Sequence, residues 1–231
     1  MSYVFEPAPH ASAPIAGEAT RFPVRRIYCV GRNYAEHARE MGADPTREPP
    51  FFFSKPADAL VEPGQPVRYP PETANLHYEI ELVIAIGKAG RNVAAENALD
   101  YVFGYAVGLD LTRRDRQDMA KKSGKPWDHA KGFDESAPIG AIQRAAKIGH
   151  PSNARIWLAV NGQVRQDSNI SELIWPAPDI VAALSRGWAL APGDLIYTGT
   201  PAGVGALTPG DVVTGGVDGI GELRFEIASP A

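Results

Sequence analysis

Two carboxylates two residues apart, Glu79 and Glu81, open an apolar, β-branched run that continues Leu82-Val83-Ile84-Ala85-Ile86. Side chains alternate across a strand, so Glu79 and Glu81 project from the same face. A third carboxylate, Asp110, ends Phe103-Gly104-Tyr105-Ala106-Val107-Gly108-Leu109-Asp110. In that segment Phe103, Tyr105, Val107, Leu109 and Leu111 form one face, while Gly104, Ala106, Gly108 and Asp110 form the other and leave room for a neighbouring strand and an ion. Like charges beside a core are unfavourable unless one takes a proton or a cation neutralises them. Three oxygen ligands without Cys or His at ligand spacing suit a hard divalent ion, Mg2+, Mn2+ or Ca2+ rather than zinc, with Mg2+ as the first choice. Glutamates on a solvated strand face, with Asp110 in a turn, are the alternative that spacing alone leaves open.

A second constellation is His37 and Glu40 in Asn33-Tyr34-Ala35-Glu36-His37-Ala38-Arg39-Glu40-Met41-Gly42. Three residues apart on a helix, they share a face, and the carboxylate can orient the imidazole as a general base. A surface His–Glu pair is the other reading. Asn33 is the expected N-cap, with Glu36 in the capping-box position and Gly42 as the stop. The polar segment 42–50 has the composition of a lid. Arg114 and Gln117 follow Asp110 closely enough to reach ligands on a metal there. Lys131 adds a cation, and Lys55 could serve a site or cap a sheet edge. Thr198-Gly199-Thr200-Pro201-Ala202-Gly203-Val204-Gly205 is a glycine loop able to turn backbone N–H groups toward an anion, with neither a Walker A nor a dinucleotide fingerprint.

The elements that position these groups are short. Twenty-three glycines and 21 prolines in 231 residues predict many turns, short strands and few long helices. Residues 1–22 are Ala- and Pro-rich without periodicity and read as an extended arm, ahead of one catalytic domain over 23–231. Strands are predicted at 25–30, 51–56, 76–86, 103–110 and 220–227. A hairpin turns at Asn161-Gly162, and a helix over 179–187 is capped by Asp179 and stopped by Gly187. At 44% hydrophobic and 22% charged residues the chain is composed to fold. A formal net charge of −4 offers no general attraction to nucleic acid or acidic membranes, and the basic stretch 112–125 reads as a solvated helix face. Small-molecule partners, no nucleic acid and no membrane are the expectation. The lone Cys29 lies in an apolar run, as a buried inert thiol would. No signal-peptide pattern opens the sequence, so a cytoplasmic location is expected.

Together these pieces resemble the fumarylacetoacetate hydrolase family, in its branch of acylpyruvate hydrolases and related decarboxylases, from about Arg25 to the C-terminus. The resemblance is carried by Tyr28-Cys29-Val30-Gly31-Arg32-Asn33-Tyr34, His37-x-x-Glu40, Phe53-Ser54-Lys55-Pro56, His77-Tyr78-Glu79-x-Glu81-Leu82, Leu109-Asp110-Leu111-Thr112-x-Arg114-Asp115-x-Gln117, Trp127, Lys131-x-Phe133-Asp134 and the 198–205 loop. It implies an α+β, mainly β fold, a mixed β roll or sandwich of the family's C-terminal-domain type with short helices, paired as a homodimer. It implies Mg2+ or Mn2+ on Glu79, Glu81 and Asp110, a catalytic dyad at His37 and Glu40 with Lys131 beside it, and substrate contacts at Arg114, Gln117 and Thr200. The finer features, the Tyr-Val-Phe arm, Arg25-Arg26-Ile27 and paired Arg113-Arg114, most resemble fumarylpyruvate hydrolases of aromatic-acid catabolism. The implied reaction is cleavage of the C3–C4 bond of a 2,4-dioxo acid to pyruvate and a carboxylic acid, fumarate for fumarylpyruvate. Decarboxylation of oxaloacetate or a related β-keto acid, and isomerisation of a 2-oxo-enoic acid, are the alternatives on the same site. A metal-stabilised binding module is the alternative from another class, expected if the His37 helix lies far from Asp110.

Overall fold

The computed structural model describes residues 2–40 and 49–230, without the Ala38 side chain. The expected lid over 42–50, apart from Pro49 and Pro50, and the helix stop at Gly42 lie outside the described residues. At the centre is a six-stranded mixed sheet in the order Gln143–Arg144, Val102–Leu109, Ile80–Ile86, Asp194–Tyr197, Arg26–Gly31, Phe51–Lys55. All its pairs are antiparallel except Asp194–Tyr197 with Arg26–Gly31. A five-stranded sheet, Gln163–Asn169, Arg155–Val160, Val212–Val217, Gly221–Ala228, Val67–Arg68, supplies the second layer. The mixed, mainly β architecture with short helices is the one the sequence implies, and the longest helix among the described residues, Ala177–Gly187, has 11 residues.

Both faces of the central sheet are covered, which explains why the run from Leu82 to Ile86 is apolar without alternation. Leu82, Ile84 and Ile86 share a core with Ile156, Leu158, Val213 and Phe225 of the second sheet. Val83 and Ala85 face the other way, onto Ala13, Ile15 and Phe22 of the N-terminal segment, where Ser12–Pro14 pairs with Arg21–Pro23. Cys29 is buried on that side, and burial pushes its thiol well up.

Three local expectations are corrected. Asn33 does not cap the first helix, α1 (Ala35–Glu40). Its amide instead donates to the carbonyls of Trp175 at 3.0 Å and Thr198 at 2.7 Å, and accepts from the Trp175 N–H at 2.7 Å. Tertiary partners outcompete the local cap because they bury the whole side chain. Phe103 packs with Phe22 and Ala106, away from the face of Tyr105, because the ladder slips a residue where Ile86 pairs with Val102. The helix expected to start at Asp179 begins at Ala177 behind Pro176, with Asp179 in its first turn.

Candidate active site and metal centre

The pairing of Ile80–Ile86 with Val102–Leu109 builds the acidic centre. Ile80 lies opposite Leu109 and Glu81 opposite Gly108. The Asp110 N–H donates to the Glu79 carbonyl at 2.9 Å, which carries the register one step further and sets Glu79 opposite Asp110. Cross-strand neighbours on one face sit within side-chain reach, so all three carboxylates meet. Their nearest oxygens lie within 4.8 Å of one another. Glu79, Glu81 and Asp110 are 5%, 1% and 1% exposed, which excludes the solvated strand face. Gly108 is required by this geometry, since a Cβ there would come within 2.6 Å of the Tyr197 ring.

Cations close in from three elements. Lys131, on the one-turn helix Asp128–Lys131, donates through Nζ to Glu79 at 2.8 Å and Asp110 at 2.6 Å. Arg114, at the start of α2 (Arg114–Ser123), donates to the other Glu79 oxygen and to Gln117 Oε1. Lys55 Nζ lies 2.9 Å from Asp110 Oδ1 and donates to the Leu111 carbonyl at 3.0 Å. His77 Nδ1 accepts from Arg114 Nε at 3.3 Å while its Nε2 donates to Asn75. Burial and then the Arg114 guanidinium push that imidazole down to about 4, so it stays neutral and orients the arginine.

The two glutamates therefore differ. Burial opposes ionisation of Glu79, but Lys131 and Arg114 outweigh it and hold the carboxyl well below the usual range. Glu81 has neither an ammonium nor a guanidinium within ion-pair distance among the described residues; one oxygen accepts the Gly199 N–H at 2.8 Å. Burial, then Asp110 and Glu79, drive it well up. For Lys131 burial works against the charge, and Asp110 and Glu79 overcome it, so the ammonium persists.

A divalent ion fits this donor set. Three buried carboxylates converge, Glu81 lacks a counter-charge, and Asp110 Oδ1 accepts no aligned hydrogen bond despite the nearby lysine. Oxygen-only ligation selects Mg2+ or Mn2+, with Ca2+ compatible in chemistry.

The remaining sequence-predicted residues border the same space. A small cavity of about 30 Å³ is lined by the triad together with His37, Arg114, Gln117, Lys131 and Thr200. His37 is buried, and its Nδ1 lies 3.1 Å from Glu40 Oε2. The α1 helix therefore borders the acidic centre, contrary to the arrangement expected of a binding module. Thr200 follows Gly199, where a φ of +100° and the 2.7 Å that an added Cβ would leave to the Asn33 Cβ admit only glycine without strain. Thr200 Oγ1 accepts from Gln166 Nε2 at 2.8 Å, and Gln166 also bonds the Pro201 carbonyl and the Ile80 N–H.

Sequence reasoning missed Gln166, which ties the Thr200 loop to the glutamate strand, because a glutamine in a polar hairpin strand carries no local signal. It also missed Arg32, Lys121, Phe53 and Trp127 as cavity-lining residues.

Known proteins share this fold. The family model "Fumarylacetoacetate (FAA) hydrolase C-terminal" matches residues 26–228. The crystal structure of fumarylpyruvate hydrolase from Pseudomonas aeruginosa, in complex with Mn2+ and pyruvate, is 52% identical, with a TM-score of 0.97 over 99% of this chain and 100% of that one. Bos taurus "Oxaloacetate tautomerase FAHD1, mitochondrial" is 44% identical over 89% of this chain and 93% of its own. "Oxaloacetate decarboxylase, mitochondrial" of Dictyostelium discoideum is 42% identical over 88% and 94%. With its fold and nearly its whole length matched, the chain belongs to the fumarylacetoacetate hydrolase family of enzymes.

Proposed function

We propose that the protein is a metal-dependent acylpyruvate hydrolase that splits the C3–C4 bond of a 2,4-dioxo acid, fumarylpyruvate first, into pyruvate and fumarate. The observation that carries this reading is a buried imidazole, oriented by Glu40, bordering the same cavity as three carboxylates and a buried ammonium. Decarboxylation needs no base for an attacking water; hydrolysis does.

Glu79, Glu81 and Asp110 would hold Mg2+ or Mn2+, which supplies a template and Lewis acid for the oxygens at C1 and C2. Lys131 and Thr200 bind the same end, and Gln117, whose carbonyl is taken by Arg114, offers its amide N–H groups. Arg114 holds Glu79 in place. His37 takes a proton from water as the oxygen adds to C4, with Glu40 steadying the resulting imidazolium. The C3–C4 bond then breaks, its electron pair passing into the enolate of pyruvate, which takes a proton at C3. Lys131 is placed to offset that developing charge.

The resemblance in sequence and structure to fumarylpyruvate hydrolase from Pseudomonas aeruginosa supports this substrate. The names of the relatives at 42% and 44% identity favour a second reading, decarboxylation or tautomerisation of oxaloacetate. A homodimer, a cytoplasmic location and a role in aromatic-acid catabolism belong to the same proposal; the mitochondrial names belong to the relatives, and no helix among the described residues is long and apolar enough to cross a membrane.

The test is product analysis after incubating purified protein, with and without Mg2+ or Mn2+, with fumarylpyruvate, acetylpyruvate and oxaloacetate separately. Metal-dependent pyruvate with fumarate or acetate supports the hydrolase. Carbon dioxide with pyruvate, or tautomer exchange alone, from oxaloacetate and no cleavage of the acylpyruvates moves the assignment to the second reading.

A further inference from the structure

The α2 helix lays Arg114, Gln117 and Lys121 along the cavity, at spacings of three and four residues that share one helix face. Arg114 touches the acidic centre through Glu79. Lys121 lies seven residues further on, about 10 Å along the axis at 1.5 Å per residue, so the stripe runs outward from the centre. Lys121 and Arg32 also line the cavity.

Lys121 pairs with no carboxylate among the described residues. Its Nζ lies 5.5 Å from the Trp127 ring centroid, and the Arg32 guanidinium lies 5.7 Å from that of Phe51. Phe51 and Phe53 pack on Trp127 at 5.3 and 5.8 Å, so the two cations lie against a continuous aromatic wall. Burial and then Arg114, with Arg32 further down, push the Lys121 ammonium down against the opposing pull of Asp118 and Glu79. A flexible lysine with no role inside would extend its charge to water. An ammonium held against aromatic rings with no carboxylate paired to it among the described residues suits an anion carried on an apolar stem.

We propose that Lys121 binds the far carboxylate of the acyl group, so that the enzyme selects 2,4-dioxo acids whose acyl group is itself an acid. Trp127 and Phe53 flank the planar, conjugated segment between the two ends. This inference rests on the hydrolase reading and adds to it the residue that decides which acyl group is preferred.

The experiment compares Mn2+-loaded wild type, Lys121→Met and Lys121→Arg on fumarylpyruvate and acetylpyruvate, reading the ratio of the two kcat/KM values. Loss of a charge-assisted hydrogen bond lowers that ratio about 10- to 100-fold in Lys121→Met, and Lys121→Arg keeps it within about threefold of wild type. A ratio unchanged in Lys121→Met, including equal losses on both acids, overturns the proposal, because a residue that only packs α2 affects both substrates alike. If the wild type cleaves neither acid, the hydrolase reading has failed and the subsite is read by calorimetric titration of the same two acids. Tighter binding of fumarylpyruvate that disappears in Lys121→Met upholds it, and a preference that is absent or survives the substitution overturns it.

Discussion

Glu81 is where a metal ion and a proton compete most directly. It is buried, faces Glu79 and Asp110, and has the Gly199 N–H and, more weakly, Lys131 in support, so it keeps its proton at pH values where an exposed glutamate is ionised. An ion bound by the triad displaces that proton, up to about one per ion. Below the raised Glu81 pKa, the apparent Kd for Mn2+ should rise about tenfold for each unit of falling pH, about 1.4 kcal/mol per unit. Titration calorimetry in two buffers of different ionisation enthalpy reads the released proton directly. In Glu81→Gln the proton release should vanish and the affinity fall by at least about tenfold, since losing even an outer-sphere partner costs that much. The stability of the metal-free protein gives an independent reading. Glu81 titrates above its ordinary 4.5 when folded, so its contribution is complete below that value and is lost as pH rises through the folded pKa. Glu79 titrates below 4.5, so its contribution is present above that value and is lost as pH falls toward its folded pKa. The windows lie on opposite sides of 4.5. Glu81 should therefore pull the Tm of metal-free protein down as pH rises above about 5, an effect absent from metal-loaded protein and from Glu81→Gln. Proton-independent metal binding, with Glu81→Gln indistinguishable from wild type, would refute the reasoning.

His37→Ala should lower turnover about 10²- to 10⁴-fold, the usual worth of a positioned base, while calorimetry finds Mn2+ affinity within about threefold of wild type. Retention of near-full turnover would remove His37 as the base. Lys131→Met leaves Glu79 and Asp110 without their shared buried ammonium, so thermal unfolding of metal-free protein should register a loss of about 3–5 kcal/mol. Asn33→Ala removes three hydrogen bonds that tie Trp175 and Thr198 together. Urea unfolding should show about 1–3 kcal/mol less stability, and kcat should fall as the Thr198-Gly199-Thr200 segment loosens. An unchanged urea midpoint would mean that solvent replaces those bonds.

Sequence alone determined the chemistry that each short segment could perform. A two-residue spacing put Glu79 and Glu81 on one face, and a three-residue spacing put His37 beside Glu40. Both pairs follow from local periodicity, 2.0 residues for a strand and 3.6 for a helix, and need no knowledge of distant neighbours. The hairpin at Asn161-Gly162 was legible for the same reason, because its backbone preference is local: both residues have positive φ, 52° and 78°.

Only the tertiary structure decided which of these local pairs share a cavity and what charge each carries. Asp110 meets Glu79 through a strand register, Gly199 reaches Glu81 across 118 residues, and Lys131 reaches Glu79 across 52. Gln166, Lys121 and the true partners of Asn33 stayed hidden because a side chain's local pattern does not specify which distant backbone it will meet. The unlike behaviour of Glu79 and Glu81 has the same origin. The two residues are identical in type and two apart in sequence, and they differ because Lys131 and Arg114 pair with one of them while the other accepts a backbone N–H. Electrostatic environment is set by long-range packing, whereas the identity and facing of the ligands are set by the chain itself.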